Sequence, residues 1–157
     1  MVTTPEGRLR ALGITLPELL PVIGSYRLAK RHGHTVYVAG HVSLKLDRSG
    51  LITGKVGNGM STQQAQDAAR VCALHMLASL RAEIGSLDRV ASILKVFGMV
   101  NVAPGFGDLA TVLDGCTDQL TDVFGDDIGT PARVAVGVAE LPLQAAVETE
   151  MIVAVRR

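Results

Sequence analysis

The sequence STQQAQDAARVCALHMLASLRAEIG, residues 61–85, contains the strongest structural signal in the chain. Ser61 and Gln64 have the spacing of a capping box, in which each side chain bonds a free amide group at the start of a helix. Apolar residues then recur at helical spacing, and Gly85 stands where a left-handed helix stop is favoured. The apolar stripe consists of Ala65, Ala69, Cys72, Met76 and Leu80. The stretch therefore predicts a helix of about six turns.

Two further helices are predicted on either side of this stretch. Over residues 108–124, apolar side chains keep the i, i+3, i+4, i+7 spacing of a helix. Gly115 is expected to weaken the middle of that helix by about 1 kcal/mol relative to alanine. A helix of about two turns is predicted between the cap residue Thr4 and the stop residue Gly13. Residues 14–24 contain two prolines and are expected to form an extended lead-in.

The remaining segments have the composition of strands. They are residues 26–31, 34–43, 51–56, 93–101, 132–141 and 145–155. His32 and Gly33 would form the turn of a hairpin between the first two strands. Because side chains alternate along a strand, His41 is expected to share a face with Tyr37 and Ala39.

This order of elements predicts the fold class. It is β-β-β-α-β-α-β-β, with a hairpin at each end of the chain. Such an order is typical of an α+β fold in which a mixed sheet is covered by two helices on one face. The other face of the sheet would remain uncovered, which favours an oligomer.

The composition limits the class of protein. A length of 157 residues suits one domain, and 48% hydrophobic residues exclude a disordered chain. The 15 basic and 15 acidic residues cancel, which disfavours nucleic acid as a partner. No apolar run reaches the roughly 20 residues of a membrane span, so we expect a cytoplasmic protein with no membrane partner. Cys72 and Cys116 are far apart and are expected to be small core residues.

Common motifs for bound cofactors and metals are absent from the sequence. Only three residues separate Gly50 from Gly54, too few for a phosphate-binding loop, and no glycine pattern has the context of a dinucleotide site. The four histidines, which are His32, His34, His41 and His75, do not have the spacing of a metalloprotease. We therefore predict neither a metal nor a cofactor.

The last two predicted strands carry an unusual set of charges. Arg133 shares a face with Ala135 and Gly137, whose small side chains would leave a cavity beside the guanidinium group. Glu148 and Glu150 lie together on one face of the final strand, which is uncommon for a strand in solvent. The pattern is also compatible with an exposed edge strand, or with a structural ion pair between a glutamate and Arg133.

Several motifs together resemble a known family. They are Ile23-Gly24-Ser25-Tyr26, Val38-Ala39-Gly40-His41-Val42, Gln64-Ala65-Gln66-Asp67-Ala68, Lys95-Val96-Phe97-Gly98-Met99-Val100, and Pro131-Ala132-Arg133 continuing through Val138-Ala139-Glu140-Leu141-Pro142 to Val147-Glu148-Thr149-Glu150. Over residues 24–155 the sequence resembles the RidA family, also called YjgF or L-PSP, and especially its longer branch. Residues 1–157 would then form a single domain of this family, with residues 1–24 as its N-terminal extension.

The resemblance implies a fold, an assembly and a reaction. It implies a chorismate-mutase-like homotrimer whose sheets form a central barrel and whose three clefts lie between subunits. Family members with the matching arginine hydrolyse reactive enamines and imines to 2-keto acids and ammonia. The expected ligand is thus a small carboxylate-bearing metabolite, and the expected activity is that of a deaminase.

The resemblance also implies roles for individual residues. Arg133 matches the arginine that binds the substrate carboxylate, and Glu148 matches the acid that orients water. Tyr26 matches the aromatic residue of the substrate site. The sequence departs from the family pattern where Ala39, followed by Gly40 and His41, stands at its Ser-Gly-Gln motif, and where Ala135 replaces a cysteine. A polar contact to the substrate and a thiol are therefore missing. The outward ring of His41 is compatible with a substitute donor and with a structural histidine.

Three classes of function follow from these residues. An imine or enamine deaminase needs Arg133 and Glu148 in one cleft, whereas a carboxylate-binding or regulatory trimer needs only Arg133. An L-PSP-type endoribonuclease would need phosphate contacts. The zero formal charge disfavours this third class, because cationic contacts provide most non-specific affinity for RNA.

Overall fold

The fold is described from a computed structural model for residues 4–19 and 21–157. Along the chain the elements are α1 (Pro5–Ala11), β1 (Ala29–His32), β2 (Thr35–Val42), β3 (Lys55–Val56), β4 (Gly59–Met60), α2 (Thr62–Ile84), β5 (Val90–Asn101), α3 (Leu109–Phe124), α4 (Asp126–Gly129), β6 (Ala132–Val138) and β7 (Val147–Val155). Short 3₁₀ turns lie at Leu87–Arg89 and Pro142–Gln144. None of the described helices is long and apolar enough to cross a membrane.

Five strands form a mixed sheet in the order β1-β2-β7-β5-β6. Within this five-stranded sheet, β5 and β6 run parallel to each other and the other neighbouring strands are antiparallel. Helix α2 packs over β2 and β7, and α3 packs over β5 and β6. The predicted α+β architecture, a mixed sheet with helices on one face, is confirmed.

The predicted hairpin at the C-terminal end is wrong. Strand β7 lies between β2 and β5, whereas β6 pairs with the outer edge of β5. The burial of the two strands explains this order. Every second residue of β7 is fully buried, as suits a central strand with a neighbour on each side, whereas β6 is only partly buried along its length.

The two long helices form as the local signals predict. The Ser61 hydroxyl accepts a bond from the Gln64 amide, and the Gln64 side chain accepts one from the Ser61 amide at 2.9 Å. Gly85 ends α2 with a φ of 85°. At Gly115 in α3, an added Cβ atom would overlap the backbone carbonyl oxygen of Gln66. This glycine therefore allows the two helices to pack closely. The sequence predicted only that Gly115 weakens the middle of its helix.

The N-terminal segment packs against the helical layer. Thr4 caps the predicted short helix α1 by accepting a bond from the Gly7 amide. The Glu6 carboxylate accepts a bond from the Leu87 amide, which anchors α1 to the 3₁₀ turn that precedes β5. The predicted lead-in, residues 14–24, has no helix or strand in its described part; Leu20 lies outside the described residues, as do residues 1–3.

A bulge in β2 changes which way its side chains face. Val38 pairs with Met151 and His41 pairs with Thr149, so two residues of β2 lie opposite one residue of β7. The hairpin of β1 and β2 is confirmed, but the predicted face of His41 is wrong. Beyond the bulge, the His41 side chain points to the helices rather than to the face of Tyr37. The strand predicted over residues 51–56 is reduced to β3 and isolated bridges.

Candidate active site

Glu148 lies in β7, on the face of the sheet that the helices leave uncovered. Thr149 and Met151 are buried against the helices, so alternation places Glu148 and Glu150 on the opposite face. The Glu148 carboxylate packs against the backbone of Gly40, where an added Cβ atom would overlap Oε1. The missing side chain at Gly40 therefore makes room for the carboxylate.

The Glu148 carboxyl group is suited to accept a proton. It is half-buried and makes no hydrogen bond or ion pair with another described residue. Burial raises its pKa above the usual value, and the negative charge of Glu150 raises this pKa further. A carboxylate with a raised pKa is a stronger base than a solvated one, so Glu148 can take a proton from water.

A groove of about 650 Å³ lies on the same face of the sheet, between β1, β2 and β7, and Glu150 rather than Glu148 is the acidic residue that lines it. Tyr26 and Ala39 line this groove together with Glu150. The Tyr26 side chain is 53% exposed, so its ring is accessible to a ligand. Of the predicted site residues, Tyr26 and Ala39 line the groove, whereas Gly40, which follows Ala39, contacts Glu148 outside that lining.

Arg133 lies elsewhere, on the edge strand β6 and on the face that the helices cover. Its Nη1 atom donates to Asp114 Oδ1 at 2.7 Å and to Thr117 Oγ1 at 3.0 Å, both on α3. The structural ion pair left open by the sequence is therefore made with Asp114, not with a glutamate of β7. The space expected beside Arg133 is filled, since Ala135 packs against the core and Gly137 lies against Val102.

Arg133 and Glu148 cannot meet within one chain. Arg133 pairs with Val96 of β5, and Val96 pairs with Met151 of β7. Glu148 is three residues from Met151 along β7. Two strand spacings and three residue rises therefore separate the Cα atoms of Glu148 and Arg133, a distance of about 14 Å. The two side chains also point to opposite faces. A site that uses both residues needs a second copy of the chain.

Comparison with known proteins assigns this chain to a family. A model of the YjgF/chorismate mutase-like endoribonuclease family matches residues 6–153. The chain belongs to the RidA/YjgF family. Protein TCP17 of Trypanosoma cruzi is 38% identical to this RidA-family chain over 145 residues, which cover 92% of this chain and 90% of that protein.

Two more relatives support the family assignment and the fold. The 2-iminobutanoate/2-iminopropanoate deaminase of Dermatophagoides farinae is 29% identical over 142 residues, which cover 90% of this chain and 94% of the deaminase. The crystal structure of protein Atu1372 from Agrobacterium tumefaciens matches with a TM-score of 0.87 at 34% identity, covering 98% of this chain and 94% of that one. The predicted family and the chorismate-mutase-like fold are confirmed.

In this RidA-family chain, His41 is turned away from the groove. Its Nδ1 atom lies 2.6 Å from the Ala39 carbonyl oxygen, which can only accept, so Nδ1 carries the proton and donates it. Nε2 lies 2.7 Å from Ser79 Oγ and accepts the hydroxyl hydrogen. Burial lowers the His41 pKa, an effect that the Ala39 bond opposes and the charge of His75 reinforces. Both ring nitrogens have partners within the chain, so the outward orientation expected for this ring is wrong and its contacts are those of a structural histidine.

Asp114 and Thr117 are the residues near the site that the sequence analysis missed. They are three residues apart and lie on the same side of α3, next to its apolar stripe. A polar pair beside the buried Cys116 was the signal that could have found them. Such a polar pair indicates a charged partner on the sheet, and in the structure this partner is Arg133.

The thiols of this RidA-family protein are not part of the groove. Cys72 and Cys116 are fully buried, as predicted for core residues. Burial raises the pKa of the Cys116 thiol to about 12, so it stays protonated and unreactive at neutral pH. Across residues 4–19 and 21–157, no three His, Cys, Asp or Glu side chains are grouped so as to hold a metal ion.

Proposed function

We propose that this RidA-family protein hydrolyses imines derived from amino acids, and the enamines that tautomerise to them, to 2-keto acids and ammonia. The observation that carries the proposal is the Glu148 carboxyl group, half-buried beside Gly40 with a raised pKa. A base of this kind on the uncovered face of the sheet suits the activation of water. A relative of similar length is named a 2-iminobutanoate/2-iminopropanoate deaminase.

The chemistry is divided between two side chains. Arg133 binds the substrate carboxylate through two parallel hydrogen bonds, which a guanidinium group provides and an ammonium group does not. Glu148 takes a proton from water as the water oxygen bonds to the imine carbon, and passes that proton to the imine nitrogen, which becomes an amine. Glu148 then takes the proton of the new hydroxyl group and passes it to the amine, so that ammonia leaves as the C–N bond breaks and the carbonyl bond forms. Tyr26 and Ala39 form the walls beside the substrate.

We propose that the sites lie between the subunits of a homotrimer. The uncovered face carries partly exposed apolar side chains on β5 and β6. They are Phe97, Met99, Val134, Val136 and Val138. A neighbouring copy that covers them removes apolar surface from water. In a head-to-tail ring, the β6 edge of each copy can bring Arg133 to Glu148 of the next copy.

A coupled assay tests this function. An amino-acid oxidase generates 2-iminobutanoate in situ, and the release of 2-oxobutyrate is followed with and without the protein. We expect the protein to accelerate the release of 2-oxobutyrate, and Glu148→Gln to abolish this acceleration. If release is not accelerated although 2-oxobutyrate binds, the protein binds carboxylates without turnover. Sedimentation at micromolar concentration tests the assembly, and a monomer there would contradict the shared site.

A further inference from the structure

The guanidinium group of Arg133 is held by one of its three nitrogen atoms. Nη1 has two hydrogens, and two acceptors lie within reach of it: Asp114 Oδ1 at 2.7 Å and Thr117 Oγ1 at 3.0 Å. Thr117 directs its own hydroxyl hydrogen towards the Leu113 carbonyl group, so its oxygen is free to accept from Arg133. Both hydrogens of Nη1 are therefore used within the chain.

The other two nitrogens of Arg133 remain available. Nε and Nη2 make no hydrogen bond with any described residue, and the side chain is 23% exposed. Their N–H bonds on the outer edge of the group are parallel, which is the geometry that binds both oxygens of a carboxylate. A carboxylate can therefore approach side-on, along the Nε–Nη2 edge. The end-on approach is blocked because Nη1 is already bonded.

The geometry assigns Asp114 and Thr117 as positioning residues that hold Arg133 with its Nε–Nη2 edge turned to the substrate carboxylate. This inference rests on the proposed function, because it deepens the role given there to Arg133. An arginine side chain has many rotamers, and binding a ligand to a mobile one costs the entropy of fixing it. Two bonds to one rigid helix fix the group before the substrate arrives.

Asp114 has a second effect, which a substitution can separate from the first. Its negative charge lowers the net positive charge that the substrate meets, and this weakens the attraction for a carboxylate. Asparagine at position 114 would keep the oxygen that bonds Nη1 and remove the charge. Alanine would remove both. Orientation therefore predicts weaker carboxylate binding by Asp114→Ala than by the wild type or Asp114→Asn, whereas charge alone predicts tighter binding by both variants than by the wild type.

The experiment compares four variants of the full-length protein. Asp114→Ala, Asp114→Asn and Thr117→Val are assayed beside Asp118→Ala, a matched control on the exposed surface of α3 whose carboxylate has no described partner. We measure kcat and KM for 2-iminobutanoate in the coupled assay and Kd for 2-oxobutyrate by calorimetry. Asp114→Ala is expected to raise KM and Kd about 10-fold, with kcat within about twofold, because rotamer ordering is added to binding.

The remaining variants distinguish positioning from a structural role. Asp114→Asn is expected to have a Kd for 2-oxobutyrate within about threefold of the wild type. Thr117→Val keeps the shape of the side chain but removes the hydroxyl group, and it is expected to raise this Kd about threefold. Asp118→Ala is expected to have no effect. The inference is overturned if Asp114→Ala binds 2-oxobutyrate as the wild type does, or more tightly than Asp114→Asn. Loss of kcat without a change in KM would also overturn it.

The outcomes also separate this inference from the proposed function. If the wild type releases no 2-oxobutyrate from the imine but binds it in an Asp114-dependent way, hydrolysis is wrong and the positioning role stands. If turnover is normal and does not depend on Asp114, the proposed hydrolysis stands and the positioning role is wrong. Guanidinium ¹⁵N signals of Arg133 add a readout without ligand, since slow rotation of Nη1 is expected in the wild type and lost in Asp114→Ala.

Discussion

A mixed assembly made from two inactive variants tests the shared site most directly. One chain carries Arg133→Gln and the other Glu148→Gln, and each alone should be inactive in the coupled assay. If every site takes Arg133 from one subunit and Glu148 from its neighbour, an equal random mixture has about one quarter of its sites intact. Activity should therefore recover to about a quarter of that of the wild type.

The expected recovery depends on the distance between the two residues in one chain. Two strand spacings and three residue rises separate their Cα atoms by about 14 Å, with the side chains on opposite faces of the sheet. An imino acid of four carbons is much shorter than this separation and cannot pass through a closed sheet. A site within one chain is thus excluded by the order β7-β5-β6.

The assay needs a proof of mixing and a matched control. Different affinity tags and native mass spectrometry show that mixed assemblies form, and activity is measured on the unfractionated mixture. As the control, a chain with both substitutions is mixed equally with the wild type. Shared sites then leave about one quarter of the sites intact, whereas sites within one chain would leave about one half. Mixed assemblies of the two single variants that stay inactive would refute the reasoning.

Further predictions concern stability and the position of the base. Gly40→Ala should displace the Glu148 carboxylate and lower turnover at least about 10-fold in the coupled assay, and unchanged turnover would contradict the contact. Gly115→Ala should lower the free energy of unfolding by about 1–3 kcal/mol in a urea titration, because overlap with Gln66 outweighs helix propensity. Glu148→Gln should raise the melting temperature at pH 7. The pKa of Glu148 is raised in the folded state, so its charge destabilises the fold as pH rises above the ordinary glutamate pKa of 4.5, and below that pH the gain should vanish. The pKa of His41 is lowered in the folded state, so its contribution to stability is present above the ordinary histidine pKa of 6.5 and is lost as pH falls. Thermal melts of His41→Asn should show a weaker loss of stability over that range.

Local features of the sequence predicted most of the elements. The capping box of Ser61 and Gln64 depends on residues three positions apart, so its signal is complete in the sequence. The same is true of Gly85, which ends the helix by its own backbone conformation. Such signals place an element in the chain but do not say which element it will contact.

The sequence did not predict which distant segments pair with each other. Alternation correctly grouped Arg133 with Ala135 and Gly137, but a row of small residues does not show whether it faces a cavity or a helix. In the structure α3 covers that row, and Asp114 bonds the arginine. The position of Glu148 on the open face followed from its own strand, because the buried residues on either side alternate without interruption.

The bulge in β2 connects the structure of the sheet to the proposed chemistry. Because Ala39 and Gly40 together lie opposite one residue of β7, the next side chain, His41, turns to the helices. There it accepts a bond from Ser79 and donates one to the Ala39 carbonyl group, which holds the bulge from the covered face. On the open face the same bulge presents the bare backbone of Gly40 to the Glu148 carboxylate. The histidine thus stabilises the backbone against which the proposed base, Glu148, packs.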